Sequence, residues 1–267
     1  LKQLKRCVSK KNVKFLQDWI DAGNRLVLIS SRSYEFTHKL HDEILRKFDH
    51  INCTASQIYI DDQLVRDEYL DKESIKAILK YLNETVKPIA YLMITKNYQM
   101  VVRQNRHISR LVFWVYKLWH FFQFKYREKS VISNEIFDNE IENGNCYKIM
   151  VFYGFRKSMK KRAKEVNKIL REQYPNIESS WTSIVNELTP LNCNKGAGLE
   201  FYTKHIGIDP KDVYVVGDSG NDISMFNKFH EHSYCMKHSY SSVKKYAKYT
   251  ISRIHKLRKL VLKGENK

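Results

Sequence analysis

Apolar residues return at helical spacing over residues 11–23, where Val13, Leu16, Trp19 and Ile20 share one face, Phe15 lies beside them and Gly23 supplies a stop. The next apolar run, 25–29, is short and ends at Ser30-Ser31-Arg32, which predicts a strand followed by a polar loop. A second helical pattern over 34–48 places Phe36, Leu40, Ile44 and Leu45 together, and 51–54 reads as another short strand. Strand and helix therefore alternate, the pattern of a parallel sheet. The alternation resumes after Pro190, with helix 196–206, strand 213–216, helix 221–228, strand 233–236, helix 240–247 and strand 249–252.

The middle of the chain has a different rhythm. Residues 57–60 and 63–65 flank Asp61-Asp62 as a hairpin, 74–82 is helical, and 88–95 with 99–103 reads as a pair of strands. An aromatic helix (109–126), a strand (147–153), a basic helix (157–171) and a further strand (181–188) follow. The predicted fold is α/β: a Rossmann-like three-layer core with a parallel sheet, made of 1–55 and 189–267, carrying an inserted α+β domain over 56–188. Trp114, Trp119, Phe121, Phe122 and Phe124 of the aromatic helix could stack on bases or enter a membrane interface. Lys117 and His120 interrupt them, and an aromatic stripe at helical spacing is the pattern of a face packed into a core, which is the expectation here.

Composition narrows the classes. At 267 residues, with 43% apolar and 28% charged positions, the chain can bury a substantial core and is not a candidate for disorder. A net charge of +18 attracts polyanions, but it is spread over 96–110, 156–171 and 237–267 without an RNA-recognition or zinc-finger signature. Solvated lysine-rich faces are expected, with nucleic-acid binding as the rival. Cys7, Cys53, Cys146, Cys193 and Cys235 are scattered and form no Cys-x-x-Cys, which predicts reduced thiols in a cytoplasmic protein. No export signal and no apolar span of about twenty residues is present, so no membrane crossing is expected.

The chemistry concentrates late in the chain. Val213-Tyr214-Val215-Val216 runs into Gly217-Asp218-Ser219-Gly220-Asn221-Asp222, and Ile223, Met225 and Phe226 then mark a helix core. A loop after a parallel strand is where α/β folds place ligands. Asp218 and Asp222, at i and i+4 across that turn, can converge on a hard cation such as Mg²⁺. Asn221 and the amides of the helix start can meet an anion. The plain alternative is a capped turn with Asp222 as the cap. A calcium loop is excluded, because Met225-Phe226 stand where it would continue. A Gly-Asp-Ser hydrolase is excluded because no Asp-x-x-His follows Ser219. Upstream, Lys195 precedes Gly196-Ala197-Gly198, small residues that let a helix start close to a ligand, and can neutralise phosphoryl charge. Most lysines are simply exposed. Ser30, at the end of the 25–29 strand, can hold a phosphate, cap the next helix, or both.

Together, Val27-Leu28-Ile29-Ser30-Ser31-Arg32-Ser33-Tyr34, Asn194-Lys195-Gly196 and Gly217 through Phe226 resemble the haloacid dehalogenase-like phosphatases, in particular the Cof-type sugar-phosphate phosphatases. The resemblance covers essentially the whole chain, with 56–188 in the place of that branch's cap domain. It implies that Ser30, the amide of Ser31, Lys195 and Asn221 bind phosphate, that Lys195 also holds the nucleophile, and that Asp218 and Asp222 serve catalysis by holding Mg²⁺. The sequence departs from the family's pattern where it has Ser31 for the usual Gly, Ala55-Ser56 near an expected Asn-Gly, and His255-Lys256 near an expected Gly.

The resemblance also implies an opening strand carrying Asp-x-Asp-Gly-Thr, the first aspartate being the nucleophile and the second the general acid and base. Leu1 stands about where that motif would have ended. That strand is expected to lie between 213–216 and 25–29, supplied by an N-terminal extension or lost from a truncated or decayed copy. The function implied is Mg²⁺-dependent hydrolysis of a small phosphorylated metabolite through an aspartyl-phosphate, with residues 1–267 alone inactive. A non-catalytic relative that keeps a half-site is the alternative.

Overall fold

The computed structural model describes residues 7–105, 109–124, 128–154, 157–182 and 185–261. The chain forms two compact units, residues 1–65 with 194–267, and residues 66–193.

In the first unit, α1 (Lys10–Asp21) starts at Ser9, whose hydroxyl accepts from the Asn12 amide, and buries Val13 and Phe15. It leads into β1 (Val27–Ile29). The helical pattern over 34–48 does not form one helix: it breaks into α2 (Tyr34–His38) and α3 (His41–Ile44), which ends at Leu45 with φ of 56°. Contacts to the next strand, β2 (Asp49–Asn52), override the local periodicity. Thr37 Oγ1 lies 2.9 Å from Asn52 Oδ1, and the Nε2 atoms of His41 and His50 are 2.8 Å apart. Burial, and then the imidazoles of His41 and His38, push the His50 pKa down to about 3.

β1 pairs parallel with β2, and the hairpin of β3 (Gln57–Ile60) and β4 (Gln63–Asp67) extends this sheet in the order β1-β2-β3-β4. The hairpin thus continues the sheet of β1 and β2, whereas the sequence reading opened the insertion at 56. Asp49 pins the sheet: it accepts from Arg25 at 3.0 Å, from the Asp61 amide at 2.8 Å and from the Tyr202 hydroxyl at 2.6 Å.

The second unit is α+β. Helix α4 (Lys72–Thr85) precedes β5 (Ala90–Thr95) and β6 (Val101–Gln104). The aromatic helix α5 (Ser109–Phe124), β7 (Val131–Ile132), α6 (Asn134–Glu142), β8 (Cys146–Phe152), α7 (Lys157–Gln173), β9 (Ile177–Thr182) and β10 (Val185–Pro190) complete it. The sheet order is β7-β6-β5-β8-β10-β9. One of its faces buries Ile78 and Leu82 of α4, Phe137 of α6 and Val166 and Leu170 of α7.

Phe113 of α5 is buried with Ala90, Met100 and Val102, but Leu111, Trp114, Val115, Leu118, Phe121 and Phe122 are exposed. The aromatic stripe is therefore not a core face, contrary to the periodicity argument: a period locates an apolar face without saying what covers it. The side chains of Trp119 and Phe124 lie outside the described residues.

The first unit resumes with α8 (Lys195–Ile206), β11 (Val215–Gly217), α9 (Ile223–Lys228), β12 (Ser233–Met236), α10 (Ser241–Lys244), β13 (Tyr249–Ile251) and α11 (Arg258–Val261). β11, β12 and β13 are parallel in that order. One core of this unit joins Ile51 and Ile58 to Leu199, Val215, Met225 and Phe226; another packs Phe15 on Tyr234 and Leu257.

Among the described residues β1 pairs only with β2, and β11 only with β12. Both open edges border a cavity of about 340 Å³, walled by Val27, Leu28 and Ile29 on one side and Val213, Val215 and Val216 on the other. Two parallel strands with unpaired edges across an apolar cavity form a slot of the kind a further strand fills, since buried backbone groups need partners. Among the described residues no helix is long and apolar enough to cross a membrane. Cys53, Cys146, Cys193 and Cys235 are buried and Cys7 is exposed, and none of the five is in a disulfide among the described residues.

Candidate active site

The loop after β1 is fastened to the end of β2. The Ser30 amide donates to the Ile51 carbonyl at 2.8 Å, the Ser30 carbonyl accepts from Thr54, and the Cys53 amide donates to the Arg32 carbonyl at 2.9 Å. The Ser30 hydroxyl accepts from the Arg32 amide at 3.1 Å, and the residue that precedes α2 as its N-cap is Ser33. Ser30 is therefore a loop former rather than the helix cap weighed above.

Holding this loop requires three consecutive left-handed residues, Cys53, Thr54 and Ala55, with φ of 49°, 60° and 78°. Each costs on the order of 1 kcal/mol for a residue with a Cβ. Left-handed backbone is what Asn-Gly provides without strain, and here Thr54 and Ala55 adopt it instead.

Lys195 opens α8. Asn194 caps the helix by accepting from the Ala197 amide at 2.9 Å, which turns the Lys195 side chain inward. Lys195 is only 8% exposed, and its ammonium donates to Asp222 Oδ1 at 2.6 Å. Gly196 serves packing rather than ligand approach: a Cβ there would stand 2.4 Å from the Ser224 carbonyl oxygen, so only glycine lets α8 lie this close to α9.

Asp222 is buried, and its second oxygen closes the loop. Oδ2 accepts from the Asp218 amide at 2.8 Å and the Ser219 amide at 2.9 Å, forming a capping box with Ser219. Burial opposes charge on Asp222, but the Lys195 ammonium and the two amides outweigh it and hold the carboxyl below its ordinary range. Gly217 completes the device: a Cβ there would sit 2.6 Å from the Asp222 side chain.

The sequence reading set Asp218 and Asp222 side by side as metal ligands. The structure separates them. Both oxygens of Asp222 are committed to Lys195 and to the loop amides. The Asp218 side chain is 56% exposed, with His238 Nε2 at 3.5 Å as its neighbour. Asn221 Oδ1 accepts from the Ser219 hydroxyl at 2.6 Å, which leaves Nδ2 as the donor end of its amide.

Ile29, just before Ser30, and Asp222 line the same cavity, so the two halves of the predicted site flank the slot. A half-exposed carboxylate suits Mg²⁺, which takes one or two protein carboxylates and keeps water or substrate oxygens for the rest. The residues present therefore fit Mg²⁺ through Asp218.

Two features escaped the sequence reading. The Lys195–Asp222 ion pair joins residues assigned separate roles, and its only sequence signal was that each belongs to a motif. The other is an imidazole cluster, hinted at by the spacing His38-x-x-His41.

The first unit is thus an α/β unit with a buried lysine at a helix start and an acidic loop after a parallel strand, and the second is α+β. A family model described as haloacid dehalogenase-like hydrolase matches residues 1–256, and the chain belongs to that family, in its Cof-type phosphatase branch. An uncharacterized protein of Mycoplasma capricolum is 21% identical over 262 residues, 94% of this chain and 91% of that protein. A 5-amino-6-(5-phospho-D-ribitylamino)uracil phosphatase of Bacillus subtilis is 34% identical over 82 residues, 31% of this chain and 27% of its own length. Among solved structures, a subclass IIB sugar phosphatase of the superfamily superposes with a TM-score of 0.74 at 17% identity, covering 95% of this chain and 91% of that one.

Proposed function

We propose that this protein hydrolyses a small phosphorylated metabolite with Mg²⁺, and that its nucleophile is an aspartate on a strand seated between β1 and β11. The observation that carries the reading is Lys195: a buried ammonium held at 2.6 Å from Asp222, a buried carboxylate that itself lines the slot with two open strand edges. A buried lysine locked by an ion pair is a fixed positive charge aimed at an anion. The Ser30–Arg32 loop offers the Ser30 hydroxyl and the Ser31 amide for phosphate oxygens, with the Asn221 side-chain amide as a further donor. Asp222 works at one remove, holding Lys195 and the Asp218 loop in place.

Asp218 holds the Mg²⁺, which when bound offsets phosphoryl charge and orients the group for in-line attack. The aspartate carboxylate on the added strand attacks phosphorus as the bond to the leaving oxygen breaks. The strand's second aspartate protonates that oxygen, and water then hydrolyses the acyl phosphate. The α+β unit corresponds in sequence position to the cap domain of this family. The likeness to sugar phosphatases and to a phosphoribitylamino-uracil phosphatase favours polyol or sugar phosphates.

Asp218→Asn tests the metal assignment. Its half-exposed side chain bears little on folding, so unfolding stability should change by less than about 0.5 kcal/mol. In the chain that carries the added Asp-x-Asp strand, Mg²⁺-dependent phosphate release from an aryl phosphate should fall by at least about 10²-fold. Unchanged turnover would remove Asp218 from the metal site.

A further inference from the structure

We infer that His38, His41 and His50 form a second metal site, one for a transition metal of the zinc class, separate from the carboxylate at Asp218. His38 comes from α2, His41 from α3 and His50 from β2, and one ring nitrogen of each lies within 4.8 Å of the others. The closest pair, His41 Nε2 and His50 Nε2, is 2.8 Å apart. Four-coordinate zinc with bonds of about 2.0–2.1 Å places ligand nitrogens about 3.3 Å from one another. The observed spread brackets that value, and ligation requires the His41 and His50 rings, now nearly coplanar with their Nε2 atoms facing, to turn towards a common point.

The outer contacts set the rings for ligation. His50 Nδ1 lies 3.0 Å from Thr37 Oγ1, whose own proton is directed at the carbonyl oxygens of Asn52 (2.9 Å) and Tyr34 (3.1 Å). Those oxygens only accept, so His50 Nδ1–H donates to Thr37 and Nε2 keeps its lone pair towards the cluster. Phe48 stacks on His41 with centroids 4.1 Å apart, and Tyr34 packs edge-on to His50 at 5.2 Å.

Without metal, the His41–His50 contact is a single shared proton in an enclosed place. With metal, His41 takes its other neutral tautomer, the proton passing from Nε2 to Nδ1 through solvent, and the Nε2 lone pairs of both rings bind. Exposed His38 marks the entry path, and a fourth position there remains for water. The electrostatic influence of the Asp62 carboxylate reaches His38, His41 and His50 and favours a cation. Imidazole nitrogens select zinc, cobalt, nickel or copper over magnesium and calcium.

The test is calorimetric titration of chelator-treated protein with Zn²⁺, in millimolar Mg²⁺ to occupy the carboxylate site, with Co²⁺ absorption as a second readout of nitrogen ligation. Binding of about one equivalent, a zinc-induced rise in Tm, and at least about a tenfold loss of affinity in both His38→Ala and His41→Gln are expected. His38 is exposed, so His38→Ala folds as the parent does and keeps the test decisive. No uptake of Zn²⁺ by the parent, or parental affinity in either variant, would overturn the assignment.

Discussion

In the chain that carries the added Asp-x-Asp strand, Lys195→Ala is expected to abolish most phosphatase turnover, by about 10²–10³-fold or more, the usual loss when a preorganised charge that stabilises the transition state is removed. The same change leaves Asp222 buried opposite nothing. Breaking one side of a buried ion pair costs about 3–5 kcal/mol, so the variant should also melt earlier. The two effects separate in the double variant Lys195→Met with Asp222→Asn. It removes both charges together, yet the asparagine oxygen still accepts from the amides of Asp218 and Ser219. Its stability should recover by about 1–3 kcal/mol relative to Lys195→Ala, with no recovery of activity. Steady-state turnover and urea unfolding on the three proteins check this. Recovery of turnover in the double variant would show that Lys195 acts only through folding.

Asp222→Asn is expected to destabilise the protein strongly at neutral pH and hardly at all in acid. The folded pKa of Asp222 lies below its ordinary value of 3.8. A carboxyl whose folded pKa is depressed contributes stability that is fully present above the unfolded pKa and is lost as pH falls through the folded one. The variant has no such proton to take up. Its deficit relative to the parent, about 3 kcal/mol or more near neutrality, should therefore shrink as pH falls below about 4, by at most about 1.4 kcal/mol per pH unit. Paired urea unfolding curves across pH measure this directly, since other carboxylates cancel in the difference. A deficit independent of pH would place the contribution of Asp222 in shape rather than charge.

Much of this protein could be read before any coordinates. The apolar runs at 25–29, 213–216, 233–236 and 249–252 became β1, β11, β12 and β13. Each pairs in parallel with a neighbouring strand and carries mostly apolar residues over a short run, which is a readable strand signal. Lys195 stood out in the sequence because Gly196-Ala197-Gly198 let a helix start close to a ligand, and it does open α8, where Gly196 serves packing instead.

What was not legible came from contacts distant in sequence. The 34–48 pattern looked like one helix because its apolar period is unbroken, and only His50 and Asn52 on β2 pull it into two pieces. Asp222 was expected to support the metal, and spacing could not show that one of its oxygens meets the Lys195 ammonium and the other the amides of Asp218 and Ser219. The stripe of α5 looked like core because a hydrophobic period carries no information about what covers it.

The central claim is that the nucleophile arrives on a strand between β1 and β11, and its most direct test supplies that strand. Residues 1–267 should be compared with the same chain preceded by an apolar strand ending in Asp-x-Asp-Gly-Thr, following Mg²⁺-dependent phosphate release from an aryl phosphate. The account predicts background turnover for residues 1–267, and turnover in the extended chain that is lost when the first aspartate becomes asparagine. Equal turnover with and without the strand, or none in a folded extended chain, would contradict it.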